Sequence, residues 1–289
     1  MNYGSINNSY SSGVFTGTWG TGGLCGHNAG SITNSSSNVT VIGGYASGGL
    51  SGFNIGGPVT NCSSFGHVTG DRAVGGLCGD NRNNIYYCHS EVMVTGNHST
   101  GGLCGSNLYN SIQNSYASGD VKGDYATGGL LGGNDAGNSY VINCYSIGVV
   151  DGNDFTGGLC GKNVGIVTNS FWDVDTSKIG SSGDDNYGAT GKTTAQMMAQ
   201  STFTGWDFTT PVWMMLRPGE DYPRLAWQEV FVGDIAGLYG VDMADFAYLA
   251  NYWGQDCDSP ACDRADIDTS GTIDLPDLAA VAADWLKGL

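Results

Sequence analysis

Apolar positions in the first 170 residues stand singly or in pairs, separated by Gly, Asn, Ser and Thr, and they return at a fixed interval. Gly-Gly-Leu-x-Gly-x-Asn is written six times, beginning at Gly22, Gly48, Gly75, Gly101, Gly128 and Gly157, with steps of 26, 27, 26, 27 and 29 residues. A second element follows each copy and also stands once before the first: a β-branched residue, any residue, Asn, then Ser or Cys. It reads Ile6 to Ser9, Ile32 to Ser35, Val59 to Cys62, Ile85 to Cys88, Ile112 to Ser115, Val141 to Cys144 and Val167 to Ser170, with Tyr87 replacing Asn once. Runs this short, broken by Gly and Asn, cannot make helices of ordinary length. They suit strands of roughly four to six residues joined by tight turns.

Self-similarity near 27 residues means one supersecondary unit stacked on copies of itself. The expected fold is mainly β, a parallel β-helix (β-solenoid) of about seven 27-residue coils over residues 1–170. Each residue then lies one strand spacing, ~4.8 Å, above its equivalent in the preceding coil. Leu24, Leu50, Leu77, Leu103, Leu130 and Leu159 are expected to form an inward aliphatic ladder. Asn28, Asn54, Asn81, Asn107, Asn134 and Asn163 are expected to form an amide ladder at a turn, where stacked amides hydrogen-bond from coil to coil. The paired glycines serve either positive φ or close backbone approach.

Composition sharpens this picture in two ways. Gly supplies 49 of 289 residues, a share compatible with disorder, but the 40% of hydrophobic residues sit in register with the period and argue for ordered repeats. The formal charge of −17 makes nucleic acid and anionic membrane poor partners. Neither a transmembrane run nor a signal peptide is visible. Residues 4–17 match the second half of a repeat whose first half is missing, so the chain is expected to be incomplete at its amino end.

Nine cysteines fall into three sets. Cys25, Cys78, Cys104 and Cys160 occupy the variable slot of the glycine motif, and Cys62, Cys88 and Cys144 occupy the Ser slot of the second element. Both sets read as small buried ladder residues, although neighbouring coils could bring Cys62 to Cys88, or Cys78 to Cys104, within disulfide range. Cys257 and Cys262 bracket a short Pro-containing loop between two helical segments. A local disulfide is expected there, in keeping with an oxidising compartment.

Residues 231–289 hold eleven Asp against one Arg and one Lys. Within them, 266–277 reads Asp-Ile-Asp-Thr-Ser-Gly-Thr-Ile-Asp-Leu-Pro-Asp. Oxygen ligands fall at loop positions 1, 3, 5, 9 and 12, which are Asp266, Asp268, Ser270, Asp274 and Asp277, with the Thr272 carbonyl at position 7. Gly271 supplies the sharp turn and Ile273 plugs the core. Ca²⁺ is the expected ion, because it takes six to eight hard oxygens on a flexible loop. An earlier copy keeps Asp234, Asp242 and Asp245 but has Ala236 and Leu238 at two ligand positions, so it is expected to bind weakly or not at all. Helices are expected after both loops, the first with Phe246, Leu249, Ala250 and Trp253 on one face and the second over 275–286.

The glycine motif and the second element, recurring together over about residues 4–170, resemble the GLUG motif. Ser170-Phe171-Trp172-Asp173, Thr190 to Met197, Trp206-Asp207-Phe208 and Tyr222-Pro223-Arg224-Leu225 resemble the segment that closes such arrays. That assigns 171–230 as a cap and linker, with Trp172, Trp206, Trp213 and Trp227 covering the last apolar coil. The two loop-plus-helix copies in 231–289 resemble a type I dockerin. This resemblance implies calcium binding and attachment of a secreted protein, often a polysaccharide-degrading one, to a cohesin-like partner. Its partner-facing positions would be Met243-Ala244 and Leu275-Pro276, which are apolar here.

An enzyme leaves little trace. His27, His67, His89 and His98 are scattered, and His-Glu-x-x-His does not occur. Asp71, Asp80, Glu91, Asp120, Asp124, Asp151 and Asp154 could in principle supply an acid/base pair, but they do not cluster along the sequence. The expected protein is therefore a non-catalytic extracellular or bacterial cell-surface solenoid for adhesion, polysaccharide or cell-surface ligand binding, or spacing. The alternative is a dockerin-bearing β-helical lyase or glycoside hydrolase.

Overall fold

The computed structural model of the protein describes residues 1–180, 188–228, 235, 241, 243–257, 262, 265–268 and 270–285. It divides into two compact units, Met1–Trp227 and Gln228–Leu289. The segment expected as cap and linker thus packs with the solenoid through Trp227.

The first unit is a stack of coils whose strands form four parallel sheets, one seven-stranded, one ten-stranded and two six-stranded. One coil visits all four, as in Tyr45–Gly48, Ser51–Asn54, Val59–Thr60 and Ser63–Thr69. Six complete turns form, preceded by a half turn containing the strands Ser5–Asn7 and Tyr10–Thr16. That half turn has the second element without its own Gly-Gly-Leu, so counting second elements overstates the turns by one.

The leucines stack as the period requires. The Leu24 N–H donates to the Leu50 carbonyl at 3.0 Å, and the column continues Leu50 to Leu77, Leu77 to Leu103, Leu103 to Leu130 and Leu130 to Leu159 at 2.8–3.0 Å. All but Leu24 are fully buried, packed with Ile32, Val59, Ile85, Ile112 and Val141 in one continuous core. Each such side chain contributes about 1.5–3 kcal/mol by burial. The paired glycines allow close approach. A Cβ on Gly48 would lie 2.2 Å from the Ser51 carbonyl oxygen and 2.8 Å from the Gly79 nitrogen of the next coil.

The amide ladder is continuous and points one way. Each Nδ2 donates to the Oδ1 of the next coil, from Asn2 to Asn28 (2.7 Å) through Asn54, Asn81, Asn107 and Asn134 to Asn163 (2.8 Å). The Asn of the second element does different work. Asn8, Asn34, Asn61, Asn114, Asn143 and Asn169 sit at φ 46–52°, with Tyr87 at 55°. This is left-handed backbone, which Asn tolerates better than most side chains. A second left-handed column runs through Gly20, Ala46, Ala73, Ser99, Ala126 and Phe155. Its residue types vary too much to be seen in the sequence.

Only part of the closing segment covers the end. Trp172 joins the main core at 4% exposure, and Ala189–Lys192 adds a strand beside Ser170–Asp173. Two short helices flank that strand: Val174–Ser177, capped by the Asp173 carboxylate, and Thr194–Met197, with a Thr193/Gln196 capping box. The three later tryptophans depart from the expectation of an end cap. They run back along the flank of the ten-stranded sheet, over Tyr116, Tyr145 and Phe171. Trp206 Nε1 donates to the Asn169 carbonyl (2.9 Å), Trp213 Nε1 to Asn114 Oδ1 (3.4 Å) and Trp227 Nε1 to the Tyr87 carbonyl (2.7 Å). The strap therefore reads left-handed turns of earlier coils. The reason is apolar: the outward Tyr and Phe column needs cover, while Trp172, Val174 and Ala189 already pack on the end of the main core.

The second unit has the helices Met243–Tyr252 and Leu275–Trp285 around Ile235, Leu249, Ala265, Ile273 and Val281. Among the described residues of the chain these are the two longest of four α-helices. Leu249 is buried, but Ala250 and Trp253 remain exposed, so the first helix buries less of its apolar face than expected.

Candidate metal centre

The loop before the second helix gathers its acids. Asp266, Asp268 and Asp277 each offer a carboxylate oxygen, and the three lie within 4.8 Å of one another. Backbone N–H groups hold them there. Ser270 N donates to Asp266 Oδ1 (2.9 Å) and Asp268 Oδ1 (3.0 Å), and Gly271 N donates to Asp266 Oδ2 (2.8 Å). Gly271 makes the required turn at φ 89°. Asp277 is fully buried and closes the loop, accepting from Ile267 N at 2.6 Å and Asp274 N at 2.9 Å. Ile273 is fully buried beneath it, as the plug position requires.

The remaining residues of the expected ligand set divide. The Ser270 hydroxyl donates to the Thr272 carbonyl at 3.1 Å, so those two oxygens stay adjacent. Asp274 is exposed and stands outside the three-carboxylate set among the described residues. Position 9 of such loops often reaches its ion through a water, which suits that placement. The donor set is hard oxygen throughout, the chemistry of Ca²⁺ rather than of zinc or copper.

The first copy retains the closing acid. Asp245 is 1% exposed and accepts from Ile235 N at 2.7 Å, the same contact that Asp277 makes with Ile267 ten residues earlier. Asp234 and Asp242 lie outside the described residues. Cys257 and Cys262 form a disulfide, with Cα atoms 5.5 Å apart. Cys257 N also donates to the Gly271 carbonyl at 2.8 Å, which ties this bridge to the loop.

The seven other cysteines are free and buried. The inter-coil disulfides left open by the sequence do not form. Each slot instead uses its small side chain as a donor. Cys62, Cys88 and Cys144 donate to carbonyls two residues back at 3.1–3.2 Å, as Ser35, Ser115 and Ser170 do at 2.8 Å. That shared role explains why either Ser or Cys fills the slot. Burial pushes the Cys144 thiol up to about 12.

Solenoid carboxylates are engaged singly. Asp71 accepts from Asn97 (2.8 Å), Asp124 from Asn153 (2.6 Å) and Asp151 from Lys122 (2.9 Å). Asp80 is fully buried against Arg82 and Tyr45, and Glu91 lies 3.4 Å from His89 Nδ1.

Comparison with known proteins bears on the solenoid. Residues 17–42 and 96–122 match the GLUG motif. No curated protein matches the chain. Among solved structures, the chain is similar to a Bacteroides ovatus protein provisionally named immunoglobulin A1 protease, solved at 1.30 Å resolution. The TM-score is 0.56 and the identity 21%, over 78% of this chain and 76% of that one. At that identity the likeness concerns the fold alone. The chain is a parallel β-solenoid of about six turns carrying GLUG-motif repeats.

Proposed function

We propose that this protein is a non-catalytic secreted or cell-surface solenoid, used for ligand binding or spacing, and tethered through a calcium-binding, dockerin-like second unit to a cohesin-like partner. The observation that carries the tether is the convergence of Asp266, Asp268 and Asp277 within 4.8 Å on a loop turned by Gly271. Three carboxylates this close repel one another, and a divalent cation relieves that repulsion. The partner face is supported by two exposed apolar side chains at equivalent places in the two copies, Met243 at 70% and Leu275 at 68% exposure. Beside Met243 lies an apolar groove of about 420 Å³ lined by Phe246, Ala282 and Trp285. The Cys257–Cys262 disulfide supports an oxidising compartment.

Calorimetry of the full chain with Ca²⁺ tests the reading. One binding event is expected, and it should vanish in Asp268→Ala. At a free ion concentration of a thousand times Kd, binding should stabilise the second unit by about 4 kcal/mol. A melting curve indifferent to chelator would overturn calcium as a structural ion.

A further inference from the structure

Outside the metal centre, the solenoid carries a strip of side chains that the core does not use. Two columns, one from each six-stranded sheet, meet side by side. One column runs from Trp19 through Tyr45 and Tyr125 to Asp154, and the other from His27 through Asp80 to Lys162. Side chains touch from one column to the other. The Tyr45 ring centre is 5.7 Å from that of Phe53, and Lys162 Nζ stands 5.9 Å from the centre of the Phe155 ring. Trp19 stacks on Tyr45 at 4.6 Å and is 63% exposed.

Two observations separate this strip from ordinary surface. The first is the placement of cations. Residues 1–170 contain four Lys and Arg, and three of them, Arg72, Arg82 and Lys162, fall on the strip. The fourth, Lys122, is paired with Asp151 at 2.9 Å. The second is Asp80. Its carboxylate is fully buried and accepts Arg82 Nε and Nη2, both at 3.0 Å, and the Tyr45 hydroxyl at 3.1 Å. Burying a carboxylate costs several kcal/mol before pairing offsets it. The repeat does not need one there, since the same position holds Phe53 in the preceding coil and Ser106 in the next. What Asp80 does is fix a guanidinium plane and the hydroxyl of Tyr45, whose ring stacks on Trp19, on one carboxylate, with the Arg82 side chain still 46% exposed.

Flat apolar faces beside pre-set planar donors match the chemistry of a sugar ring, whose C–H faces pack on aromatics and whose hydroxyls take paired hydrogen bonds. The strip also spans five coil steps, about 24 Å at the strand spacing, which suits a linear polymer lying along the stack. We propose that this strip binds a linear glycan, with Trp19 and Tyr125 as ring platforms and the Asp80-held Arg82 and Tyr45 as hydroxyl-reading groups. The proposal rests on the reading of the solenoid as a ligand-binding body.

The test uses the full chain on an array of neutral and uronate-containing linear oligosaccharides, followed by calorimetry with the best-bound one. Trp19→Ala and Tyr125→Ala should each weaken binding at least about tenfold, the loss expected for an aromatic anchor. Tyr45→Phe should weaken it several-fold, and Trp253→Ala in the second unit should leave it unchanged. Circular dichroism checks folding, and the exposed Trp19 carries the test if a substitution at the half-buried Tyr45 or Tyr125 fails to fold. Binding that survives both alanine variants would overturn the strip while leaving a ligand-binding solenoid intact. Retention of no arrayed glycan would also overturn it, leaving the spacer role. Cleavage of the bound glycan, with binding lost in the variants, would uphold the strip and overturn the non-catalytic reading.

Discussion

Replacing Asn107 by Ala breaks the amide ladder at its middle. Asn107 Oδ1 accepts from Asn81 Nδ2 at 2.8 Å, and its Nδ2 donates to Asn134 Oδ1 at 3.0 Å and to the half-buried Asn110 carbonyl, also at 3.0 Å. Asn81, Asn107 and Asn134 are all fully buried. The substitution therefore strands one donor and one acceptor away from water, each at about 1–3 kcal/mol, for a total near 4 kcal/mol. That is a large fraction of the roughly 5–15 kcal/mol by which domains are stable. Asn107→Asp gives a second handle. It keeps the acceptor for Asn81 but turns a carboxylate oxygen toward Asn134 Oδ1, so its folded-state pKa must rise above the ordinary value of about 3.9. Protonation restores a donor, and this variant should regain stability as pH falls through that raised pKa and lose it as pH rises. Urea unfolding followed by far-ultraviolet circular dichroism at several pH values measures both effects. The exposed Asn38→Ala is the control. If Asn107→Ala costs no more than Asn38→Ala, the ladder does not hold the coils together and the argument fails.

Other expectations follow from the same geometry. Trp213 is fully buried, so Trp213→Ala should cost about 3–5 kcal/mol and expose 198–227 to limited proteolysis before the coils. At Asn61, φ 51°, Asn61→Val should cost about 1–3 kcal/mol while Asn61→Gly stays near neutral, as thermal unfolding would show. The buried thiol Cys144 should resist Ellman's reagent until the chain is denatured. Its pKa is raised from 9.0 to about 12, so the unfolded chain ionises first. Its contribution is constant below pH 9 and is lost between pH 9 and about 12; a flat stability profile across that window would refute it.

Much of the solenoid was legible because its determinants repeat. Leu24 to Leu159 and Asn28 to Asn163 occupy identical places in every coil, and register in a parallel stack follows directly from the period. The left-handed Asn of the second element was visible as a residue type, although its φ was not. Gly20, Ala46, Ser99 and Phe155 share that backbone without sharing chemistry, so no pattern announced their column. The strap was misplaced for a related reason. Trp227 meets Tyr87 across 140 residues of sequence, and nothing local distinguishes a tryptophan that covers an end from one that lies along a flank. In the metal loop, the spacing of Asp266, Asp268 and Asp277 foretold their convergence, whereas the separate position of Asp274 depends on loop conformation. The strip on the solenoid was hidden because its members, such as Tyr45 and Asp80, are 35 residues apart and meet only when adjacent coils stack.

The uniform direction of the buried amides, donor always toward the later coil, gives every repeat a head and a tail of matching polarity. A duplicated unit inserted anywhere in the column would find a waiting acceptor ahead and a waiting donor behind. Rod length can therefore change by whole repeats without a new joint having to be invented, while an insertion of half a repeat would interrupt the column.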